Sequence, residues 1–211
     1  EVVTGFDASK LYVTGGTSGE LITLNEGKNY MLTVTPLVDQ PRGTIKLTVS
    51  TAGVTDAAGN VAIAPPVAEQ AYQQNIIVGE FLAGPVKDGH QLSVHAYDLH
   101  GNPLGSATKI GHDGRYVLSL GSYTGGVLLK VIDEGTGADF WDEGTGEAKD
   151  LNAVLMAVAV IGADRNHVNI NPVTTIAAVK AGFSAKDGMA TAATTEEAIH
   201  MANFVLAKGF G

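Results

Sequence analysis

An acidic stretch in the second half of the chain has the residue types needed to bind a hard cation. Residues 133–150 read D-E-G-T-G-A-D-F-W-D-E-G-T-G-E-A-K-D and hold seven of the chain's 22 Asp and Glu residues, against one Lys. Carboxylates at this density repel one another unless cations or solvent relieve the repulsion. Because glycines and threonines separate them, the stretch can form a loop that surrounds Ca²⁺ with oxygen ligands. The alternative is a solvated acidic hairpin.

The same stretch contains a nine-residue repeat, with D-E-G-T-G at 133–137 and again at 142–146. The first copy matches the calcium β-roll nonapeptide G-G-x-G-x-D-x-U-x, over residues 134–142, at every fixed position except the first. The second copy has Ala148 at the Asp position, and β-rolls need several stacked copies, so we expect no β-roll. We predict instead a single calcium-binding loop with these ligands: Asp133, Asp139, Asp142 and Glu143.

Aromatic side chains near these carboxylates could stack on a sugar ring. Trp141 and Phe140 lie inside the acidic stretch, and Tyr123 precedes it. Carboxylates would then accept hydrogen bonds from sugar hydroxyls. A lone Trp in a β-sandwich more often belongs to the core. The exposure of Trp141 therefore decides between a ligand platform and a hydrophobic anchor.

The composition excludes several functional classes. The net charge is −9 with a pI near 5.0, and no basic stripe is present, so we expect neither nucleic-acid binding nor attraction to anionic membranes. Cysteine is absent, which excludes disulfides and thiolate zinc sites. No apolar run reaches the roughly 18 residues of a membrane span, so we expect no membrane insertion.

Catalytic motifs are missing from the sequence. The six histidines show no H-x-H or H-E-x-x-H spacing, and no G-x-S-x-G elbow occurs. Glycoside hydrolysis would need two carboxylates facing each other across a cleft, which nothing in the acidic stretch implies. If histidines converge on a metal, they would be those near turns, namely His90, His100 and His112. We predict that the protein is not an enzyme.

The first third of the chain alternates apolar and polar residues in short runs. Residues 29–36 and 43–50 show this alternation most clearly, and one face of each run is expected to point inward. The expected inward residues are Tyr30, Leu32 and Val34 in the first run, and Ile45, Leu47 and Val49 in the second. Short strands separated by turns favour an antiparallel sandwich.

Five motifs in this region occur in order: E-V-V-T-G-F-D-A-S, V-T-G-G, Y-M-L-T-V-T-P, G-T-I-K-L-T-V and T-D-A-A-G-N. Together they closely resemble the bacterial Ig-like repeats of large RTX- and biofilm-type surface adhesins. The resemblance covers residues 1–64 and implies an Ig-like extender domain. Because a full repeat of that family begins earlier, we expect an N-terminally incomplete module whose open sheet edge is unpaired or completed by another chain.

The resemblance also implies a calcium site. Repeats of this kind commonly bind Ca²⁺ through the Asp and Asn of the D-x-A-G-N turn, which here are Asp56 and Asn60. The alternative is an Asx-type turn with no ion. Asp7 is a weaker candidate, and we expect it to cap a turn or helix.

A linker and a second domain are predicted to follow. Pro65 and Pro66 mark residues 65–75 as a stiff linker. Residues 76–170 read as short strands, including a strand hairpin formed by 151–161 and the segment after it. The motifs V-x-A-Y-D-x-x-G-N-x-L-G and H-D-G-R-Y-V-L-S-L, within 78–132, resemble the Cna-B or carboxypeptidase-regulatory type of β-sandwich.

Helices are predicted only over residues 171–211. Asn171 reads as an N-cap, with Pro172 at the first helical position and a stop at Gly182. A capping box at Thr194 and Glu197 predicts a second helix that extends to about Lys208. Its expected apolar stripe comprises Ile199, Ala202, Val205 and Leu206. We expect the helices to pack on the second domain.

The sequence therefore predicts a mainly β protein: an incomplete Ig-like β-sandwich followed by a second β-sandwich with two C-terminal helices. The function that we expect is a non-catalytic, adhesive or structural segment of a secreted bacterial cell-surface adhesin, rigidified by Ca²⁺. Its partners would be neighbouring domains of the same adhesin and a host or biofilm glycan or protein. One alternative is a carbohydrate- or peptide-binding module that uses Trp141 and the loop 133–150. A second is an accessory domain of a secreted hydrolase.

Overall fold

The structure is a computed structural model that describes residues 2–63, 65, 67–191 and 193–210. The chain forms two compact units, Glu1–Gln73 and Gln74–Gly211. Both units consist mainly of β-strands, and the two α-helices of the described residues lie near the C-terminus. The predicted fold class is confirmed. Among the described residues, no helix has the length and apolar character needed to cross a membrane.

The first unit is built from short antiparallel strands. Its described residues form β1 (Val3–Thr4), β2 (Leu11–Thr14), β3 (Gly16–Leu24), β4 (Asn29–Pro36), β5 (Arg42–Val49), β6 (Thr55–Asp56) and β7 (Ala68–Gln73). Strands β2, β5 and β7 form one sheet, β3 pairs with β4, and β1 pairs with β6. Side chains of β4 and β5 alternate between exposed and half-buried, and the predicted inward faces are confirmed.

This unit buries little apolar surface among its described residues. Val54 is its one fully buried hydrophobic side chain there, whereas Ile22 and Met31 are exposed. The expectation that the module is N-terminally incomplete stays a prediction.

The predicted linker contains a strand. Residues 68–73 form β7, which pairs antiparallel with β5 from Leu47↔Ala68 to Arg42↔Gln73. Its side chains are exposed except for Tyr72. The sequence of this strand therefore lacks the alternation of apolar and polar residues that predicts a half-buried strand. The linker prediction is therefore wrong over these residues. Ala64 and Pro66, at the predicted boundary, lie outside the described residues.

The second unit contains two main sheets, a small hairpin and both helices. Its described strands are β8 (Ile76–Glu80), β9 (Leu92–Asp98), β10 (Pro103–Lys109), β11 (Arg115–Ser119), β12 (Gly125–Asp133), β13 (Phe140–Asp142), β14 (Glu147–Lys149), β15 (Met156–Ile161) and β16 (Arg165–His167). One sheet has the order β10-β9-β12-β15, and another has the order β11-β8-β16. Strands β13 and β14 pair with each other, and Phe140 of β13 also forms an isolated antiparallel bridge with Val86.

Strand β12 supplies side chains to two hydrophobic cores. Leu129 is fully buried in a cluster that also contains Ile77 of β8 and Leu118 of β11, so this core lies between the two sheets. Leu128 belongs to a second cluster with Met156 of β15 and helical side chains. The second unit is therefore layered as sheet, sheet and helices.

The predicted hairpin between residues 151–161 and the following segment is wrong. Strand β15 pairs with β12, whereas β16 pairs in parallel with β8 in the other sheet. The turn between them includes Asp164 at a φ of 67°, and Asn166 bonds both backbone groups of Gly162. Proximity in sequence suggested pairing, but the chain crosses from one sheet to the other at this turn.

The helices follow most of the predicted capping chemistry. Helix α1 (Pro172–Lys180) begins with the predicted Asn171 cap, whose side chain accepts a hydrogen bond from the Thr174 N–H. Helix α2 (Glu196–Phe210) is capped by Thr195, which accepts from the Ala198 N–H. The predicted Thr194 cap is wrong, because its hydroxyl donates to the Gly182 carbonyl instead.

The predicted apolar stripe of α2 is buried in its N-terminal half only. Ile199 and Ala202 are buried in the second core and Leu206 is half-buried, but Val205 is 49% exposed. The sheet is covered by the first turns of the helix, so the apolar pattern continues beyond the surface that it packs on.

We expect Gly79→Ala to destabilise the second unit by about 3 kcal/mol, because overpacking at this level distorts the backbone. A Cβ at Gly79 would lie 1.7 Å from the Val168 carbonyl oxygen, where the chain after β16 passes β8. Gly162→Ala is the matched control, since its Cβ would meet nothing within 4 Å. Urea denaturation measures both changes in the free energy of unfolding. Equal stability of the two variants would contradict the parallel β8–β16 pairing.

Candidate functional site

The nine-residue repeat in the acidic stretch corresponds to two turns of the same kind. Asp133 Oδ1 accepts a hydrogen bond from the Gly135 N–H at 2.8 Å, and Asp142 Oδ1 accepts from the Gly144 N–H at 2.8 Å. Each Asp-Glu-Gly segment is thus an Asx-type turn, in which the side chain replaces a backbone acceptor. The repeat therefore has a conformational cause that does not require two equivalent ion sites.

The hairpin β13–β14 brings together two carboxylates that are eleven positions apart. Its register pairs Phe140 with Lys149, and the Asp139 N–H donates to the Lys149 carbonyl at 2.7 Å. Asp139 and Asp150 therefore lie opposite each other at the base of the hairpin. Asp133, the last residue of β12, joins them from the adjoining sheet.

These three residues form a carboxylate triad, which we define as Asp133, Asp139 and Asp150. One ligand oxygen from each lies within 4.8 Å of the other two. Asp139 is 1% exposed and is fixed in place, because its two oxygens accept from the Gln91 and Leu151 N–H groups at 3.4 and 3.0 Å. The triad is thus held by backbone donors from two sides.

Asp150 is the member of the triad whose hydrogen-bonding capacity is not satisfied. Its Oδ1 is buried and has no hydrogen-bond partner among the described residues. Burial raises the pKa of Asp150, and the neighbouring Asp133 and Asp139 raise it further. A buried carboxylate oxygen without a donor is unfavourable unless a proton or a cation compensates it.

The donor set of the triad fits a hard divalent cation. All three groups are carboxylates, and Ca²⁺ prefers oxygen ligands in flexible arrangements of six to eight, several of which can be backbone carbonyls or water. A cation among them would replace like-charge repulsion by attraction and would give the Asp150 Oδ1 a partner. The residues present therefore fit calcium.

The structure brings only two of the four predicted acidic ligands into this site. Asp133 and Asp139 belong to the triad, whereas Asp142 lies at the far end of β13. There it accepts from the Gly144 and Thr145 N–H groups, and its pKa is lowered, mainly by the bond from Gly144. Glu143 is exposed in the same turn.

Asp150 was not predicted as a ligand, because the second copy of the nonapeptide, residues 143–151, has Asp150 at the position of the large apolar residue. Treating residues 139–150 as a hairpin would have found it, since pairing about the central D-E-G-T-G turn sets Asp139 opposite Asp150.

The turn at Asp56 has the hydrogen bonds of an Asx-type turn. Asp56 Oδ1 accepts from the Ala58 and Asn60 N–H groups, and its Oδ2 accepts from the Asn60 side chain at 2.8 Å. The same bonds recur at 2.8 Å between Asp98 and Asn102 in the second unit, where the sequence is D-L-H-G-N. Hydrogen bonds, chiefly from the Asn, lower the pKa of Asp56. The calcium prediction for Asp56 and Asn60 stays a prediction.

The predicted aromatic platform is not assembled from its three members. Trp141 is 45% exposed on β13, and Phe140 beside it is half-buried. Tyr123 lies before the start of β12, whereas the acidic loop follows its end, so roughly 25–30 Å of strand separates them. The Tyr123 hydroxyl also donates to the Gly126 carbonyl at 2.7 Å. Trp141 is thus not a core anchor, and Tyr123 cannot act with it.

The histidines do not converge on one point. His90 is buried, and its Nδ1 accepts from the Leu92 N–H, while His112 pairs with Asp88 at 3.0 Å. His100 lies in the turn between β9 and β10, at the opposite end of β9 from His90.

A cluster of Ser93, His95 and Glu134 was not found from the sequence. The Ser93 hydroxyl lies 3.0 Å from His95 Nε2, and Glu134 Oε1 lies 3.5 Å from the same nitrogen. A nucleophilic relay needs the acid on the other ring nitrogen, where it orients the imidazole. This cluster therefore lacks the geometry of a catalytic triad.

We expect Asp150→Asn to change the pH dependence of stability in the presence of a chelator. Because the folded pKa of Asp150 is raised, the native state holds this proton more tightly than the unfolded state. The stabilising contribution of Asp150 is complete below its ordinary pKa of 3.8 and is lost as the pH rises through the folded value.

At neutral pH the Asn variant should thus be more stable than the unsubstituted protein, and the difference should shrink on acidification. Urea denaturation at several pH values measures it. A difference that grows on acidification would contradict the raised pKa.

Comparison with known families identifies a relationship for the first unit. Residues 1–74 match the family model described as a bacterial Ig-like domain. This match coincides with the compact unit Glu1–Gln73 and covers about a third of the chain. A comparison with curated proteins gives no match.

Two solved pilin structures have distant similarity to the chain. One is BcpA, the major pilin subunit of Bacillus cereus, with 12% identity and a TM-score of 0.28 over 80% of this chain and 58% of that chain. The other is the Corynebacterium diphtheriae major pilin SpaA, with 14% identity and a TM-score of 0.22 over 77% and 55%. The chain thus spans less than two thirds of either pilin, and likeness at this level carries no functional argument. The family match shows that the first unit is similar to a bacterial Ig-like module.

Proposed function

We propose that this chain is a non-catalytic structural segment of a bacterial cell-surface protein, stabilised by Ca²⁺ at the carboxylate triad. The similarity of residues 1–74 to bacterial Ig-like domains supports a surface module with an extracellular location. The observation that carries the calcium assignment is the buried, partnerless Oδ1 of Asp150 beside two further carboxylates.

The position of the triad explains what the ion would do. Asp139 and Asp150 flank the open base of the β13–β14 hairpin, and Asp133 ends the central strand β12. An ion bound by all three would join the hairpin to the sheet. It would also neutralise part of the charge of a loop that holds seven acidic residues. Ca²⁺ would therefore stiffen the second unit internally.

An adhesive role follows from the same proposal. A segment that transmits force between other domains needs a high barrier to local opening, and bound ions stabilise the state that binds them. The adhesion target would be a host or biofilm glycan or protein. An accessory role beside a secreted hydrolase stays a prediction.

We expect Ca²⁺ to raise the melting temperature of the second unit by about 5–10 °C at about 100 times its Kd, because binding then stabilises the folded state by about 2.7 kcal/mol. Differential scanning calorimetry with Ca²⁺ or with EGTA measures the shift. Mg²⁺ should have a smaller effect, since it requires a stricter octahedral geometry.

Matched variants assign the site. Asp150→Asn should lose most of the shift, whereas Asp56→Asn, in the other unit, should keep it. An unchanged melting temperature with Ca²⁺ would contradict the proposal. If only Asp56→Asn lost the shift in melting temperature, the calcium site would be assigned to the Asp56–Asn60 turn instead.

A sugar-binding role is the second candidate, and the exposure of Trp141 supports it. Its side chain is 45% exposed within a stretch that holds seven acidic residues, whose carboxylates could accept hydrogen bonds from sugar hydroxyls. We expect a glycan array to show binding that Trp141→Ala abolishes, because the indole supplies the stacking surface. Tyr123→Phe is the control, since that residue lies at the other end of β12. Absence of binding on the array, or binding retained without the indole, would exclude this candidate.

A further inference from the structure

A groove with a volume of about 650 Å³ opens in the second unit. It lies between the segment that follows β8, the turn before β11 and the turn of the β13–β14 hairpin. Its apolar lining includes Phe81, Pro85, Val86 and Pro172. None of the triad residues lines it, so this is a separate site. Its volume is in the range of ligand-binding clefts.

The charges that line the groove are all negative. Asp113 contributes one carboxylate, and Asp142 and Glu143 contribute two more, whereas no Lys or Arg is among the lining residues. Glu143 is exposed and has no ion-pair partner among the described residues. His112, also in the lining, is paired with Asp88 at 3.0 Å. The groove thus combines apolar surface with an excess of negative charge.

Backbone hydrogen bonds fix two of the carboxylates. Asp113 Oδ1 accepts from the Arg115 N–H at 3.1 Å, and Asp142 accepts from the Gly144 N–H at 2.8 Å. Arg115 reaches Asp113 only at 3.7 Å and lies closer to Glu80, at 3.2 Å. Little entropy would therefore be lost in ordering these carboxylates when a cation binds.

The lining discriminates between ligand classes. Anions are repelled by the three carboxylates. A neutral sugar would need an exposed aromatic face, but Phe81 is 2% exposed and the Trp141 side chain does not line the groove. Lys and Arg side chains combine an aliphatic stem with a charged head, which matches an apolar surface bordered by carboxylates. The volume exceeds that of one side chain, so neighbouring residues of the same ligand also fit.

We propose that this groove binds an extended polypeptide segment of a partner protein through one Lys or Arg side chain. The aliphatic stem lies against Val86 and Pro172, and the cationic head pairs with Asp142 and Glu143. The site is independent of the calcium proposal, because it uses none of the triad carboxylates.

The test is a titration of the 211-residue chain with a capped Thr/Ala nonapeptide that has one central Lys, in the presence of a chelator. Amide NMR signals of three lining glycines, Gly84, Gly114 and Gly144, report on the groove. We expect them to shift on binding, and the affinity to fall as the salt concentration rises. A norleucine peptide, which keeps the stem and removes the charge, should bind at least about tenfold more weakly.

Substitutions distinguish binding at this groove from attraction to the net negative charge of the protein. In Asp142→Asn/Glu143→Gln the Asn oxygen can still accept the turn hydrogen bonds, and we expect about a tenfold loss of affinity. Glu197→Gln is the charge control, since this exposed residue lies in the first turn of α2, whose Glu196 bonds Gly126 at the start of β12.

Three outcomes would overturn the proposal. Equal affinity for the lysine and norleucine peptides would show that the cationic head does not contribute to binding. If Glu197→Gln, which removes one charge, lost half as much binding free energy as the double variant, which removes two, the attraction would be to an acidic protein in general. Binding of free spermidine as strong as that of the lysine peptide, with the same glycine shifts, would identify a small-cation site instead of a polypeptide site.

Discussion

Burial of both faces of β12 is the constraint on which the second unit depends. Val127 and Leu129 are 0% exposed in the core between the sheets, and Leu128 is 4% exposed under the helices. A strand without a solvent face cannot shift its register by one residue without exchanging the two cores. Because β12 is fixed in this way, its last residue, Asp133, is fixed as well. The position of the first triad carboxylate thus follows from hydrophobic packing.

The acidic residues of this protein are stabilised in two different ways. Asp56, Asp98 and Asp142 lie in turns whose backbone N–H groups donate to the carboxylate, and their pKa values are lowered. These groups favour the charged state, because hydrogen-bond donors already compensate the carboxylate charge. Asp150 differs, since burial and two neighbouring carboxylates raise its pKa and its buried oxygen lacks a donor. The distribution of hydrogen-bond donors, more than the density of charge, therefore distinguishes a candidate cation site from a solvated turn.

The β13–β14 hairpin connects the features that we assign to function. Its base carries two of the three triad carboxylates, β13 exposes Trp141, and its turn supplies Asp142 and Glu143 to the groove. An ion at the base would restrict the orientation of the whole hairpin. In a surface protein this arrangement would let the calcium concentration outside the cell set the rigidity of a contact surface. Backbone hydrogen bonds also join the hairpin to the segment after β8, because the Trp141 N–H donates to the Pro85 carbonyl and the Lys87 N–H donates to the Asp139 carbonyl.

The sequence by itself determined the fold class, the inward faces of β4 and β5, the Asn171 cap and the acidic character of the 133–150 loop, because alternation and capping are local properties. The tertiary structure alone decided that β16 joins β8, that polar residues 68–73 form an edge strand, and that Asp150 completes the triad. A two-residue period shows which face of a strand is buried but does not name its partner. Partners depend on packing across the core, and packing also decides which carboxylates lie too close together to remain without a counter-charge.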